Sequence, residues 1–176
     1  MVINLKSHTL SGKHLKELIV LTLFGALMYA VQVAMAVLPN IELVSLLVIL
    51  ITIRFGPKAL FSVYIFVGCE ILTYGISLWV INYLYIWAIL VVIILPIRKV
   101  DNVFVYAIVA AIYGLIFGTL CAIPNFFIGG IGFGISYIVS GLMFDVYHCV
   151  GNLVLVLLLY RPLTEGMNRA LKILER

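Results

Sequence analysis

Six apolar runs separated by short breaks dominate this chain: Leu18–Leu38, Leu43–Ile53, Ala59–Ile76, Tyr83–Ile97, Val103–Ile123 and Ser136–Tyr160. A hydrocarbon layer about 30 Å thick takes roughly 20 helical residues to cross, so the runs read as membrane-crossing helices. The second run is short and is expected to extend past both of its ends. With 65% hydrophobic and 10% charged residues, the chain has more apolar surface than a water-soluble core can hide. Its 176 residues hold six such helices and their connections, with no room for a soluble domain. The expected fold is therefore all-α, a single integral membrane bundle of six transmembrane helices over residues 1–176. The first run follows basic residues, as a secretory signal does. It is longer than a signal core, lacks a small-x-small cleavage site and is followed by equally apolar sequence, so it reads as a spanning helix.

The breaks set the threading, because basic residues in short loops stay on the cytoplasmic side. Lys6, Lys13 and Lys16 precede the first helix; Arg54 and Lys58 separate the second from the third; Arg98 and Lys99 separate the fourth from the fifth; Arg161, Arg169, Lys172 and Arg176 follow the sixth. These are all 11 basic residues of the chain. The alternate connections, Pro39–Glu42, Ser77–Asn82 and Pro124–Gly134, contain none. Six spans with both termini cytoplasmic satisfy this distribution without exception, and residues 1–16 form a cytoplasmic N-terminal segment. Beyond Pro162, residues 162–176 place Leu163, Met167, Ala170, Leu171 and Leu174 on one helical face, the pattern of an interfacial amphipathic tail, although a solvated tail fits as well.

Helices associate in lipid through close backbone approach at small residues. Ala26, Ala30 and Ala34 form one such stripe, and Ala110, Gly114 and Gly118 another; each suits either internal packing or, for the first helix, docking of another membrane subunit. Cys69, Cys121 and Cys149 are odd in number and scattered through apolar runs, so they read as packing residues. No metal site is expected: Asp145, His148 and Cys149 supply only part of a coordination shell.

Charges are costly inside a bilayer, about 2.5–3.5 kcal/mol on the mildest scale, which makes Glu70, Asp145 and His148 functional candidates. Asp145 and His148 share a helical face, as a structural pair or as ligand contacts, with His148 near mid-membrane. The outward connections add Asn40 and Glu42, then Trp79, Asn82 and Tyr83, then Asn125 and Phe126. Tyr85 and Trp87 fit an interfacial aromatic belt equally well. Aromatic faces with a few amides and carboxylates line small-molecule pockets. The lack of Lys or Arg there favours a neutral or cationic ligand over an anion such as folate. Gly130, Gly132 and Gly134 do not form a dinucleotide fingerprint, Ser136 and Ser140 sit in no nucleophile elbow, and no phosphate-binding loop occurs. An enzyme is not expected, nor is a nucleic-acid partner.

Three stretches carry a family resemblance: the basic segment leading into LTLFGALMYAVQVAMA, then LPNIELVSLLVILITIRFGPKAL, then GISLWVINYLYIW. Together they make essentially the whole chain resemble the substrate-binding S components of energy-coupling factor (ECF) transporters. The resemblance implies a multi-pass subunit of a prokaryotic cell membrane that captures a vitamin near the outer surface. It also implies that the first-helix stripe, Ala26, Ala30 and Ala34, docks a transmembrane T subunit, and that two ATPase subunits consume the ATP. The loaded subunit would topple in the membrane, and it would need no cofactor of its own. Overall similarity makes cobalamin the first expectation, followed by riboflavin, thiamin or biotin. Ligand contacts are expected from Asn40, Glu42, Glu70, Trp79, Asn82, Tyr83, Asn125, Phe126 and Asp145. Two rival readings are a self-contained ion-coupled carrier using Glu70, Asp145 and His148, and a structural subunit of a larger membrane assembly.

Overall fold

The computed structural model describes residues 12–37 and 41–175, and among them every apolar run is helical and none is a strand. The helices are α1 (Gly12–Met35), α2 (Val44–Phe55), α3 (Ala59–Tyr74), α4 (Leu78–Ile94), α5 (Val103–Cys121) and α6 (Ile123–Glu175). Gly130, at φ 75° and ψ −172°, breaks α6 near its start. Lys6, Leu38, Asn40 and Arg176 lie outside the described residues, as does the side chain of Leu174. Five stretches are long and apolar enough to cross a membrane, when α2 and α3 are counted together as Val44–Tyr74.

Contacts between helices fix their directions. Glu17, Leu21 and Tyr29 of α1 meet Lys58, Ser62 and Thr73 in the same order, so α1 and α3 are parallel. Glu42 and Ser45 meet His148 and Asn152 in order, so α2 and α6 are parallel. Ala110 and Gly118 meet Asn152 and Asp145 in reverse order, so α5 opposes α6. Asn82 and Ile86 meet Cys121 and Tyr113, so α4 opposes α5. Phe66 and Tyr74 of α3 meet Trp87 and Trp79, so α3 opposes α4. The six helices therefore alternate in direction, and the chain reverses between α2 and α3 at the turn Gly56–Lys58.

That turn needs a glycine. Gly56 has φ 62° and ψ −135°, outside the space of residues with a Cβ. The Arg98 guanidinium also lies over it, where a Cβ would collide. Gly56→Ala is expected to destabilise the protein by about 1–3 kcal/mol, read as a lower melting temperature in detergent; an unchanged melt would show that the reversal tolerates other backbone geometry.

At about 1.5 Å per residue, α2 is only roughly 18 Å long. It survives because it is central: every residue from Val44 to Thr52 is buried. A helix apolar on all sides, with no polar stripe to orient it, settles where protein surrounds it on every side. Of its polar groups, the Thr52 hydroxyl is satisfied locally, donating to the Val48 carbonyl at 2.6 Å, while Ser45 is met by Asn152 of α6.

The last helix sorts its residues by polarity in a way compatible with a membrane. Along α6, Asp145, His148 and Asn152 are 4%, 3% and 2% exposed, while Met143, Val150 and Leu158 are 62%, 54% and 67% exposed. Polar residues turned inward and large apolar residues turned outward are the arrangement of a helix solvated by hydrocarbon. The polar stripe can approach α5 because α5 presents small residues to it. A Cβ on Gly114 would stand 2.8 Å from the His148 carbonyl group, and one on Gly118 would stand 2.6 Å from Asp145 Oδ2. The Ala110–Gly114–Gly118 stripe is thus internal packing. Ala26, Ala30 and Ala34 are all exposed. The residue that lets α1 approach α3 is Gly25, where a Cβ would lie 2.6 Å from the Ser62 carbonyl oxygen.

Two of the three connections lacking Lys and Arg differ from expectation. Ser77–Asn82 is not a loop: Ser77 is extended at φ −131° and α4 begins at Leu78, so Trp79 and Asn82 are helical. Pro124–Gly134 is helical except at Gly130. Both stretches are uncharged, and the second is helical in spite of four glycines, with Pro124 in the first turn where its missing N–H costs nothing, so the sequence breaks overstated the loops. The segment after Pro162 is likewise a continuation of α6, with Met167 and Leu171 buried in the core.

One end of the bundle gathers the charged groups. Lys58 Nζ pairs with Glu17 at 2.7 Å, Arg98 covers Gly56, and Asp101, Asn102, Arg161 and Glu165 line a cavity of about 410 Å³.

Candidate functional site

The opposite end holds an aromatic ladder. Trp79, Tyr83 and Trp87 are spaced four apart, so they stack along one face of α4, with ring centroids 5.0 and 5.4 Å apart. Tyr74 packs edge-on to Trp79 at 5.5 Å at the outer limit of the ladder. Inward, Phe66 flanks Tyr83 and Trp87, and Trp87 leads through Phe117 of α5, at 5.7 Å, to the His148 ring, a further 4.6 Å away. The ladder starts with Trp79 at 38% exposure and ends among side chains with almost none.

Three acids and an amide converge around it. Glu42 lies before α2, and its carboxylate accepts the Ser45 backbone N–H at 3.0 Å, a favourable use of the positive end of the helix. The same carboxylate meets His148 Nε2 at 3.1 Å, with the His side chain 3% and the Glu side chain 13% exposed. An ionised Glu42 requires that nitrogen to carry the proton. One turn on, Asn152 Nδ2 donates to the Ala110 carbonyl at 3.2 Å and reaches Ser45 Oγ at 3.4 Å. Asp145 Oδ1 accepts the Gly118 N–H at 2.8 Å, whereas Oδ2 has no protein partner among the described residues.

Glu70 differs from the others. It is fully buried in α3, and neither carboxylate oxygen has a protein partner among the described residues. The Tyr83 hydroxyl lies in the field of both Glu70 and Glu42. Tyr83 also accepts a hydrogen bond from Gln32 Nε2 at 3.0 Å, which leaves Gln32 Oε1 without a partner, as is Trp87 Nε1. Each unpartnered buried group costs about 1–3 kcal/mol, so concentrating them at one locus is a local sacrifice of stability.

The structure thus brings Glu42, Glu70, Tyr83 and Trp79 into one aromatic-lined locus, with Asp145 at its α5–α6 edge. Two further expected contact residues hold hydrogen bonds within the protein. Asn82 and Asn125 both donate to the Cys121 carbonyl, at 3.3 and 3.4 Å, and Tyr85 bridges Asn82 Oδ1 and the Leu120 carbonyl. These amides tie α4 to the α5–α6 junction. Phe126 packs on Gly134, within the leading turns of α6. His148 hydrogen-bonds to Glu42 rather than to Asp145, which puts it level with the start of α2, and it stands near the midpoint of α6.

Gln32, Phe66, Phe117 and Asn152 complete the locus, and sequence reasoning had not singled them out. Gln32 and Asn152 each left a signal, as isolated amides inside apolar runs. The cysteines are free, and no three His, Cys, Asp or Glu side chains among the described residues converge as metal ligands. No protein-family model, curated protein or solved structure matches this chain.

Proposed function

We propose that this chain is the membrane-embedded substrate-binding subunit of an ECF-type vitamin importer, non-enzymatic itself and energised by a T subunit and two ATPases. In this reading the six alternating helices are six crossings, the charged end is cytoplasmic with both termini, and the aromatic-lined end opens outward. The observation that carries the reading is the convergence of buried, unpartnered Glu70 and Gln32 with a ladder of rings that begins at the surface. A group that destabilises the empty protein is retained where a ligand completes it. The exposed Ala26, Ala30 and Ala34 give α1 a flat outer face for close approach by a partner helix.

Purification from the native membrane tests the assembly: the chain should bring down a second membrane subunit and two nucleotide-binding chains. Ala30→Leu is expected to abolish that copurification while leaving vitamin affinity unchanged, because residue 30 is remote from the ladder face. Retention of the complex, or loss of vitamin binding with it, would count against the docking role.

The Glu42–His148 contact favours a second reading, a proton-coupled carrier in which this pair exchanges a proton alongside Glu70 and Asp145. Uptake by the chain alone in proteoliposomes under a pH gradient would select it over the subunit reading.

A further inference from the structure

The groups around Tyr83 are one-sided in charge. Gln32 contributes an unpartnered acceptor oxygen and Glu70 two, and the unpartnered donors at this end are Trp87 Nε1 and the Ser77 hydroxyl, with the Tyr83 hydroxyl proton also free to donate. No lysine or arginine occurs in any connection at this end of the bundle, and the nearby imidazole is engaged by Glu42. Among the described residues Glu70 therefore has no counter-charge in contact with it. In such surroundings a carboxyl group is either protonated, or ionised with the positive charge supplied from outside the chain.

The walls select for the same sign. Phe66, Tyr83 and Trp87 are packed with centroids 5.4–6.0 Å apart, two of the three pairs nearly edge-to-face. Ring faces carry negative potential and attract a cation within about 6 Å, most strongly when it is desolvated. An anionic ligand would meet Glu70 and these faces with repulsion. An uncharged ligand could donate hydrogen bonds to Glu70 but would supply no charge to balance it in its ionised form.

We infer that the ligand of this site is an organic cation, a compound with a quaternary or protonated nitrogen, held by Glu70 as counter-ion, with Gln32 Oε1 accepting an N–H and the Tyr83 and Trp87 rings enclosing it. The inference rests on the proposal that the aromatic-lined end is a ligand site, and it narrows that proposal: thiamin-like chemistry moves ahead of cobalamin, riboflavin and biotin.

The chain's two tryptophans, Trp79 and Trp87, both stand in the ladder, so intrinsic fluorescence reports on this locus alone. Purified full-length protein is titrated with cations (thiamin, choline, pyridoxamine), neutral compounds (riboflavin, cyanocobalamin) and anions (biotin, pantothenate). Saturable quenching is expected from a member of the cationic group. Glu70→Gln keeps the shape and removes the charge, and should weaken that ligand roughly 10- to 150-fold. Gln32→Met removes one neutral acceptor and should weaken it roughly 2- to 13-fold. Glu70→Gln should melt no lower than wild type, because a neutral amide replaces a buried acid, whereas Gln32→Met also removes the hydrogen bond to Tyr83 and should melt slightly lower. Binding confined to a neutral or anionic compound, or cation binding indifferent to Glu70→Gln, overturns the inference and leaves the ligand-site proposal standing. No binding by any compound removes both.

Discussion

Gly114→Leu is expected to leave little folded protein, because the new side chain would have to occupy space filled by main chain. A Cβ at residue 114 would stand 2.8 Å from the His148 carbonyl carbon and oxygen and 2.9 Å from Cys149 N. Side chains can rotate away from an intruder, but a helix backbone can do so only by moving as a unit. Separating α5 from α6 would also break the Gly118–Asp145 and Asn152–Ala110 hydrogen bonds. Overpacking commonly costs 1–3 kcal/mol; here the rigid neighbour and the lost bonds put the cost at about 3 kcal/mol or more, a large part of an ordinary stability. Gly68→Leu provides the control, since nothing lies within 4 Å of a Cβ there. Size-exclusion profiles and melts in detergent should show Gly114→Leu aggregated or strongly destabilised and Gly68→Leu close to wild type. Equal behaviour of the two would mean that α5 and α6 are not in this contact.

The second large effect belongs to Glu42. Glu42→Ala removes the acceptor of the Ser45 N–H and the partner of His148 together, leaving a buried imidazole facing an empty carboxylate position. Removing one member of a buried pair costs about 3–5 kcal/mol, and the lower end applies because Glu42 keeps some exposure. The informative comparison is Glu42→Leu with His148→Leu. Glu42→Leu strands the imidazole and the Ser45 N–H, and His148→Leu costs Glu42 its buried partner; in the double change only the Ser45 N–H is left, so the double variant should be about 1–3 kcal/mol more stable than the sum of the singles. Additive melts would show that the two side chains do not interact.

The order of helices was legible because hydrocarbon thickness and the placement of lysine and arginine constrain any chain of this kind. Helix ends were not. Hydropathy registers where lipid ends, whereas Ser77 starting α4 and the unbroken passage of α6 through Pro162 depend on backbone hydrogen bonding. The polar face of α6 could be read from Asp145 and His148, and Asn152 extends it by one turn. The partnership of His148 with Glu42 could not, because the residues are separated by most of the chain and only the central position of α2 brings them together. Nor could the two small-residue stripes be told apart by spacing: Ala110, Gly114 and Gly118 face α6, while Ala26, Ala30 and Ala34 face outward and Gly25 makes the close approach.

The enclosure of α2 has a consequence for biosynthesis. A ribosome makes α2 second, yet the side chains that satisfy Glu42 and Ser45 lie on the last helix to emerge. Until α6 is made, Glu42 lacks its imidazole partner and the Ser45 hydroxyl its amide. A chain arrested before residue 148 would thus leave uncovered a surface that the finished protein conceals.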